Sequence, residues 1–251
     1  MNPAATRPDY TGENEERYLL GRSLTICVVR TGIAETKKGG NLVTTTLSLR
    51  SRAIALLLAV LLTAVSYFYL DTGIARFVYR ILNSSDRLLD AATDIPDLLL
   101  HIVITITVLS WVGYFILVRR GIHNRLTDFL RACGTVVPMA FVTKTVFQYI
   151  FGRPNPYTWL LEHEPPLFFW FRNDKGYGCF PSGHMTVFTA LMTTLSHYYP
   201  RYRSVYLGLL CLLALALVIT DHHFLSDVLA GAVLGSMLAF IINKRLRGKP
   251  G

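Results

Sequence analysis

Long apolar runs alternate with short polar clusters along this chain. Residues 53–70 (AIALLLAVLLTAVSYFYL) and 205–220 (VYLGLLCLLALALVIT) contain no charged residue, and 98–118 (LLLHIVITITVLSWVGYFILV) contains one histidine. Segments at roughly 127–151, 183–199 and 226–243 continue the pattern. Crossing a bilayer takes about 20 helical residues, so the pattern predicts six spans. The segment 183–199 is the shortest and carries Thr and His; if it spans, it is buried within the others. The expected fold is all-α: a six-transmembrane helix bundle over residues 51–245.

Between the first two spans, residues 71–94 place Ile74, Phe77, Val78, Ile81, Leu82, Leu88 and Leu89 mainly three and four apart. Arg76, Arg80, Asp86, Arg87 and Asp90 occupy the other face. This predicts an amphipathic extramembrane helix, either lying in the interface or packed over the loops. Residues 1–50 are polar, and the first long apolar run begins only near residue 53. That is not the layout of a cleavable signal peptide. The segment reads as a largely disordered cytoplasmic tail, open to a local strand or a surface-lying stretch, and residues 246–251 as a basic tail. The loop 155–180 carries Tyr157, Trp159, Phe168, Phe169, Trp170, Phe171 and Tyr177, either an interfacial aromatic belt or a lid over a lipid groove.

Composition agrees with the membrane class. Of 251 residues, 52% are hydrophobic and 16% charged, against about 25% charged in soluble domains; the mean hydropathy is +0.39. The net charge of +9 would suit a nucleic-acid partner, but its distribution argues against one. With six spans both termini share a side. That side holds Lys37, Lys38, Arg50, Arg52, Arg119, Arg120, Arg125, Arg201, Arg203, Lys244, Arg245, Arg247 and Lys249, whereas the other holds Arg76, Arg80, Arg87, Arg153, Arg172 and Lys175. The positive-inside rule places both termini in the cytoplasm. Of the four cysteines, Cys27, Cys133, Cys179 and Cys211, only Cys179 faces the outer compartment. No disulfide framework or cysteine-based metal site is expected.

Three polar clusters then fall on the outer face: Gly152-Arg153-Pro154, Pro181-Ser182-Gly183-His184 and His222-His223-Phe224-Leu225-Ser226-Asp227. Ionisable groups at span boundaries are costly, and their recurrence points to one site. Pro181 and Ser182 are helix-start signals, and a helix N-terminus suits an anion such as phosphate. Gly183 lets the backbone approach closely, and His184 can hold or release a proton near neutral pH. At a spacing of four, His223 and Asp227 can meet on one helix face. A carboxylate bonded to one imidazole nitrogen leaves the other free as nucleophile or base. Arg153 offers bidentate contact to phosphate. Taken singly, each cluster has a plain structural explanation: an N-cap, a hydrogen-bonded pair, a snorkelling anchor.

Together and in this order, the three motifs resemble those of the type 2 phosphatidic acid phosphatase family over roughly residues 53–243. The resemblance implies that His223 attacks phosphorus, that Asp227 orients it, and that His184 protonates the leaving oxygen and later helps activate water. It also implies that Arg153, Ser182 and the Gly183 N–H hold the phosphate, with no metal and no cofactor.

Two departures stand out. The family's first motif has a lysine seven positions before the arginine, where this chain has Val146; its third motif has an arginine six positions before the histidine, where this chain has Leu217. Lys144 lies nine steps from Arg153, nearly opposite on a helix, and would need a broken helix near Gly152 to reach the site. Lys175 and a protonated His222 are further candidate phosphate ligands. The expected activity is metal-independent hydrolysis of a phospho- or pyrophospholipid through a phosphohistidine at the outer face, periplasmic in the expected bacterial inner membrane or luminal in an internal eukaryotic membrane, with the bilayer and a lipid phosphate as partners. The alternatives are a phosphotransferase using the same phosphohistidine and a non-catalytic lipid-binding relative. A transporter relay would need its ionisable groups near mid-bilayer, not at span ends.

Overall fold

A computed structural model of the protein describes residues 33–38, 41–46, 49–82, 95–161, 165–172, 174 and 176–247. The expectations for residues 1–32, for the second half of the interfacial helix (83–94) and for Lys175 lie outside these residues. The chain divides into two units, Met1–Ala55 and Leu56–Gly251. The first contains an antiparallel hairpin, β1 (Ile33–Lys38) with β2 (Asn41–Thr46), in register from Ile33↔Thr46 to Lys38↔Asn41. It falls in the segment read as a largely disordered tail.

From residue 49 the described chain is helical apart from its connections. The helices are α1 (Leu49–Val65), α2 (Asp71–Leu82), α3 (Ile95–Arg119), α4 (Arg125–Phe151), the short α5 (Pro156–Leu161), α6 (Gly183–Tyr198), α7 (Arg203–Ile219) and α8 (Leu225–Arg247). Five stretches are long and apolar enough to cross a membrane: Ala53–Ile81, Leu98–Arg119, Arg125–Phe151, Pro200–Ile219 and Leu225–Leu246. At 16 residues, α6 is about 24 Å long, short of a hydrocarbon core of about 30 Å, and it is not one of the five.

The first span departs from the sequence reading. A π-helical turn, Ser66–Leu70, joins α1 to α2 without a break, so the apolar run and the expected interfacial helix form one continuous rod as far as Leu82. A π turn bonds i to i+5, here Asp71 N–H to the Ser66 carbonyl. It brings Ser66 and Asp71 onto one inward face, where the Ser66 hydroxyl donates to Asp71 Oδ1 at 3.0 Å. Both residues are buried.

The core lies where α4, α6 and α8 meet, around Val136, Val137, Ala140, Val187, Ala190 and Ala239, with Leu99 and Val103 of α3 against it. Small residues let helix backbones approach closely in membranes. A Cβ at Gly235 would sit 2.3 Å from the Thr186 carbonyl, and one at Gly231 2.7 Å from that of Ser182. These two glycines of α8 let α6 dock against it. Pro138 interrupts α4 and leaves the carbonyl of Gly134 without its usual donor. Trp111 of α3 donates its indole N–H to that oxygen at 3.0 Å, so the proline leaves no orphan there. In contrast, α1 and α7 expose Leu57, Leu58, Leu61, Val205, Leu212 and Leu215, as lipid-facing helices do.

Candidate active site

The three clusters converge at helix ends. Gly152 caps α4 in the left-handed region (φ 51°), and a Cβ there would fall 2.1 Å from the Phe169 carbonyl. Only glycine fits. This turn sends Arg153 inward instead of along the helix. Ser182 caps α6, its Oγ accepting from Met185 N–H at 3.4 Å, and its own N–H donates to the Asp227 carbonyl at 3.0 Å. The starts of α6 and α8 are thereby tied together. Gly183 is the first residue of α6, where N–H groups have no intrahelical acceptor.

Arg153 is the centre of a buried network, 1% exposed. Its Nη1 donates to Asp227 Oδ1 at 2.5 Å and to Ser226 Oγ at 2.8 Å, and its Nη2 to Asp71 Oδ2 at 2.8 Å. Asp71 also accepts from the Ser226 N–H at 3.0 Å and, by a short bond, from the Ser226 hydroxyl. The guanidinium lies 4.2 Å from the Phe224 ring centroid and 4.8 Å from that of Tyr67. Burial alone would lower the pKa of Arg153, but the Asp227 and Asp71 carboxylates outweigh it and raise it. Among the described residues its buried Nε has no hydrogen-bond partner.

His223 precedes α8, so it does not share a helical face with Asp227 as the spacing suggested. Its Nδ1 stands 3.9 Å from Asp227 Oδ2, beyond hydrogen-bonding distance. Cys179 lies between them, its Sγ 2.9 Å from His223 Nδ1 and 3.1 Å from Asp227 Oδ2. The sequence reading gave this cysteine no partner. The three side chains could also hold a metal ion, their donor atoms lying within 4.8 Å of one another. The pKa of His223 is pulled down to about 3, first by burial and then by the charges of His184 and His222. The ring is therefore neutral at physiological pH. Burial first, then the Asp227 charge, pushes the Cys179 thiol well up, so it is protonated.

The remaining candidates divide. Lys144 reaches the site region from α4: its Nζ donates to Gln148 Oε1 at 3.1 Å, Gln148 Nε2 donates to the Pro181 carbonyl at 3.1 Å, and a Cβ on Gly183 would lie 3.1 Å from Lys144 Cδ. The helix ends at Gly152, the break that the sequence reading required, so Lys144 and Arg153 need not share a face. His222 places Nδ1 3.0 Å from both the carbonyl and the hydroxyl of Thr220. Val146 is half-exposed and lines a groove of about 370 Å³ with Thr145, Gln148, Tyr149, Tyr177 and Gly178; the histidines do not line it. Leu217 is buried against Met185 and Val228, an apolar filling where the resemblance would put a cation. The aromatic loop splits: Phe168 stacks on Tyr67, with centroids 5.2 Å apart, while Trp170 and Phe171 are exposed.

Asp221 is 9% exposed, at φ 51°, and its Oδ1 has no hydrogen-bond partner among the described residues. Burial raises its pKa to about 6. A raised carboxyl pKa favours the protonated form in the fold, so its stabilisation is full below about pH 4 and is lost as pH rises through 6. Asp221→Asn removes that loss, and asparagine tolerates the left-handed backbone. It should raise stability by about 1–2 kcal/mol at pH 8, from the roughly 1.4 kcal/mol carried by each pKa unit and some solvent access, with the gain fading by pH 4.5. Thermal unfolding in detergent at the two pH values checks this; an equal effect at both would refute it.

Asp71, Ser226 and Cys179 are the site residues that sequence reasoning missed. The one available signal was Asp71, an acid directly after an uninterrupted apolar run. Residues 129–249 match the sequence profile of the PAP2 superfamily. Among solved structures, the crystal structure of a transmembrane PAP2-type phosphatidylglycerolphosphate phosphatase from Bacillus subtilis is similar at 20% identity, with 76% of this chain and 94% of that one covered and a TM-score of 0.47. No curated protein matches the chain. The segment that matches the PAP2 superfamily holds Arg153, Ser182, His184, His223 and Asp227 in that order.

Proposed function

We propose that the protein is a membrane phosphatase that removes phosphate from a phospho- or pyrophospholipid through a phosphohistidine on His223. The observation that carries this reading is a neutral, largely buried imidazole close enough to His184 to feel its charge, beside the start of α6 and the Arg153 network. His223 Nε2 attacks phosphorus while the bond to the lipid oxygen breaks and its electron pair leaves with that oxygen. A protonated His184 gives the oxygen its proton. The neutral His184 then takes a proton from water as the water attacks phosphorus, the N–P bond breaks, and its electron pair returns to His223. The Gly183 N–H, the Ser182 hydroxyl and Arg153 stabilise charge on the phosphoryl oxygens, with Lys144 close behind. No metal takes part.

In this reading α6 is a sixth, protein-enclosed membrane segment. Both termini are cytoplasmic, the site opens to the periplasm of a bacterial inner membrane, and exposed Trp170 and Phe171 anchor at the interface. A non-catalytic lipid-binding role, or transfer to a second lipid instead of water, has one observation in its favour. Leu217 and Val146 leave two cation positions empty, and carboxylates already engage Arg153.

Phosphate release by the purified protein in detergent, with chelator, across phosphatidate, phosphatidylglycerophosphate, polyprenyl pyrophosphate and lipid A phosphate tests the reading. Release is expected to withstand the chelator. Because His223 stays neutral down to about pH 3, kcat/KM should show no loss from nucleophile protonation between pH 7 and 5. No release from any of these lipids by folded protein would sink the proposal.

A further inference from the structure

The Asp227 carboxylate is too fully engaged elsewhere to orient His223 directly. Oδ1 takes the Arg153 guanidinium at 2.5 Å; Oδ2 takes the Phe224 N–H at 2.9 Å and the Cys179 thiol at 3.1 Å. His223 Nδ1, at 3.9 Å, is left out. Among the described residues, Cys179 Sγ is the group within hydrogen-bonding reach of both Nδ1 and Oδ2.

We propose that Cys179 is a positioning residue, its thiol bridging the ring of His223 to the carboxylate of Asp227 in place of a direct histidine–carboxylate bond. This rests on the phosphatase reading above. The donor count closes. A thiol has one proton to give and sulfur lone pairs to accept with. Nδ1–H donates to Sγ, and S–H donates to Oδ2; the His222 carbonyl, at 3.3 Å, is a longer alternative acceptor. Protonation at Nδ1 leaves the lone pair on Nε2, the nitrogen that must attack phosphorus. When phosphorylation makes the ring cationic, a polarisable sulfur backed by an anion strengthens the Nδ1–H bond. The thiol is held in place by its own backbone, since Cys179 N–H donates to the Arg153 carbonyl at 2.9 Å. The same strand meets the Arg-Pro segment through the Pro154–Tyr177 bridge. The thiol and the arginine are thus tied together backbone to backbone.

A buried cysteine is often only a small hydrophobe, and the test must separate the two roles. Cys179→Ala should lower kcat by about 10- to 100-fold, the usual cost of losing an outer-shell orienting partner, with KM little changed. Cys179→Ser keeps a donor and an acceptor and should restore most of kcat. Wild-type kcat in the alanine variant, or a serine variant no better than alanine, would overturn the proposal.

Should the alanine variant fail to fold, cadmium decides. Cd²⁺ displaces the thiol proton and takes sulfur, imidazole and carboxylate together. Wild type should develop a Cd–thiolate ultraviolet band, reversed by chelator, that Cys179→Ser lacks. An identical band in both would show that sulfur, ring and carboxylate do not converge. The titration needs no turnover, so a wild type that releases no phosphate would sink the phosphatase reading while cadmium still reported on the thiol.

Discussion

His223→Gln is expected to reduce lipid-phosphate turnover by about 10³-fold or more, the scale on which removing a nucleophile abolishes covalent catalysis. The variant should remain folded. Among the described residues the His223 ring bonds to Cys179, at its thiol and at its backbone, and it is held neutral, so its loss strands no buried charge. Rapid acid-free quench with radiolabelled lipid phosphate should trap protein-bound phosphate on wild type. The label should be acid-labile, as a phosphoramidate is, and missing from the variant. His184→Gln should both accept and release label slowly, because His184 protonates the leaving lipid oxygen in the first step and takes the proton of the attacking water in the second. Turnover by His223→Gln at the wild-type rate would end the phosphohistidine mechanism.

Arg153→Gln carries the second large effect, on stability as well as activity. Arg153 pairs with two carboxylates that are themselves 0–1% exposed. Breaking a buried ion pair from one side typically costs about 3–5 kcal/mol, because the remaining charge has no solvent. Here two charges are stranded, although Asp71 keeps Ser66 and Ser226 as donors. The expected result is a thermal transition in detergent lowered by an amount within or above that range, with activity lost. Adding Asp71→Asn should return part of the stability, since it removes one stranded charge, but none of the activity. A single variant that melts with wild type would show that the carboxylates do not depend on this arginine. Arg153→Lys should fall between, because one ammonium cannot reproduce the fork that reaches Asp227 and Asp71 at once.

These two residues mark the limits of sequence reading. The polar clusters at helix ends were legible because ionisable groups in an apolar chain are costly and therefore conspicuous. The segments of Arg153, Ser182 and His223 meet around Asp227, the first two directly and the third through Cys179. Lys144 was expected near the site only if the helix broke near Gly152, and sequence alone could not say that it does. Gly152, at φ 51°, ends the helix one residue before the arginine. Asp71 was read as part of an interfacial helix because period-3.6 patterning does not register a π turn. One extra residue in the turn rotates everything after it and brings Asp71 inward against Arg153. Cys179 had no signal, since contacts to it span 44 and 48 residues.

The sequence by itself determined the membrane class, most of the long helices and the order of the polar clusters at their ends, since each follows from local composition, periodicity and motif order. Only the tertiary structure decided which partners those residues take: that Arg153 is clamped by carboxylates from two distant helices, that Leu217 fills a cation's place with hydrocarbon, and that a thiol stands between His223 and Asp227. Such pairings depend on how the helix ends turn and how closely α6 and α8 approach, and no linear pattern encodes a distance between segments so far apart in the chain.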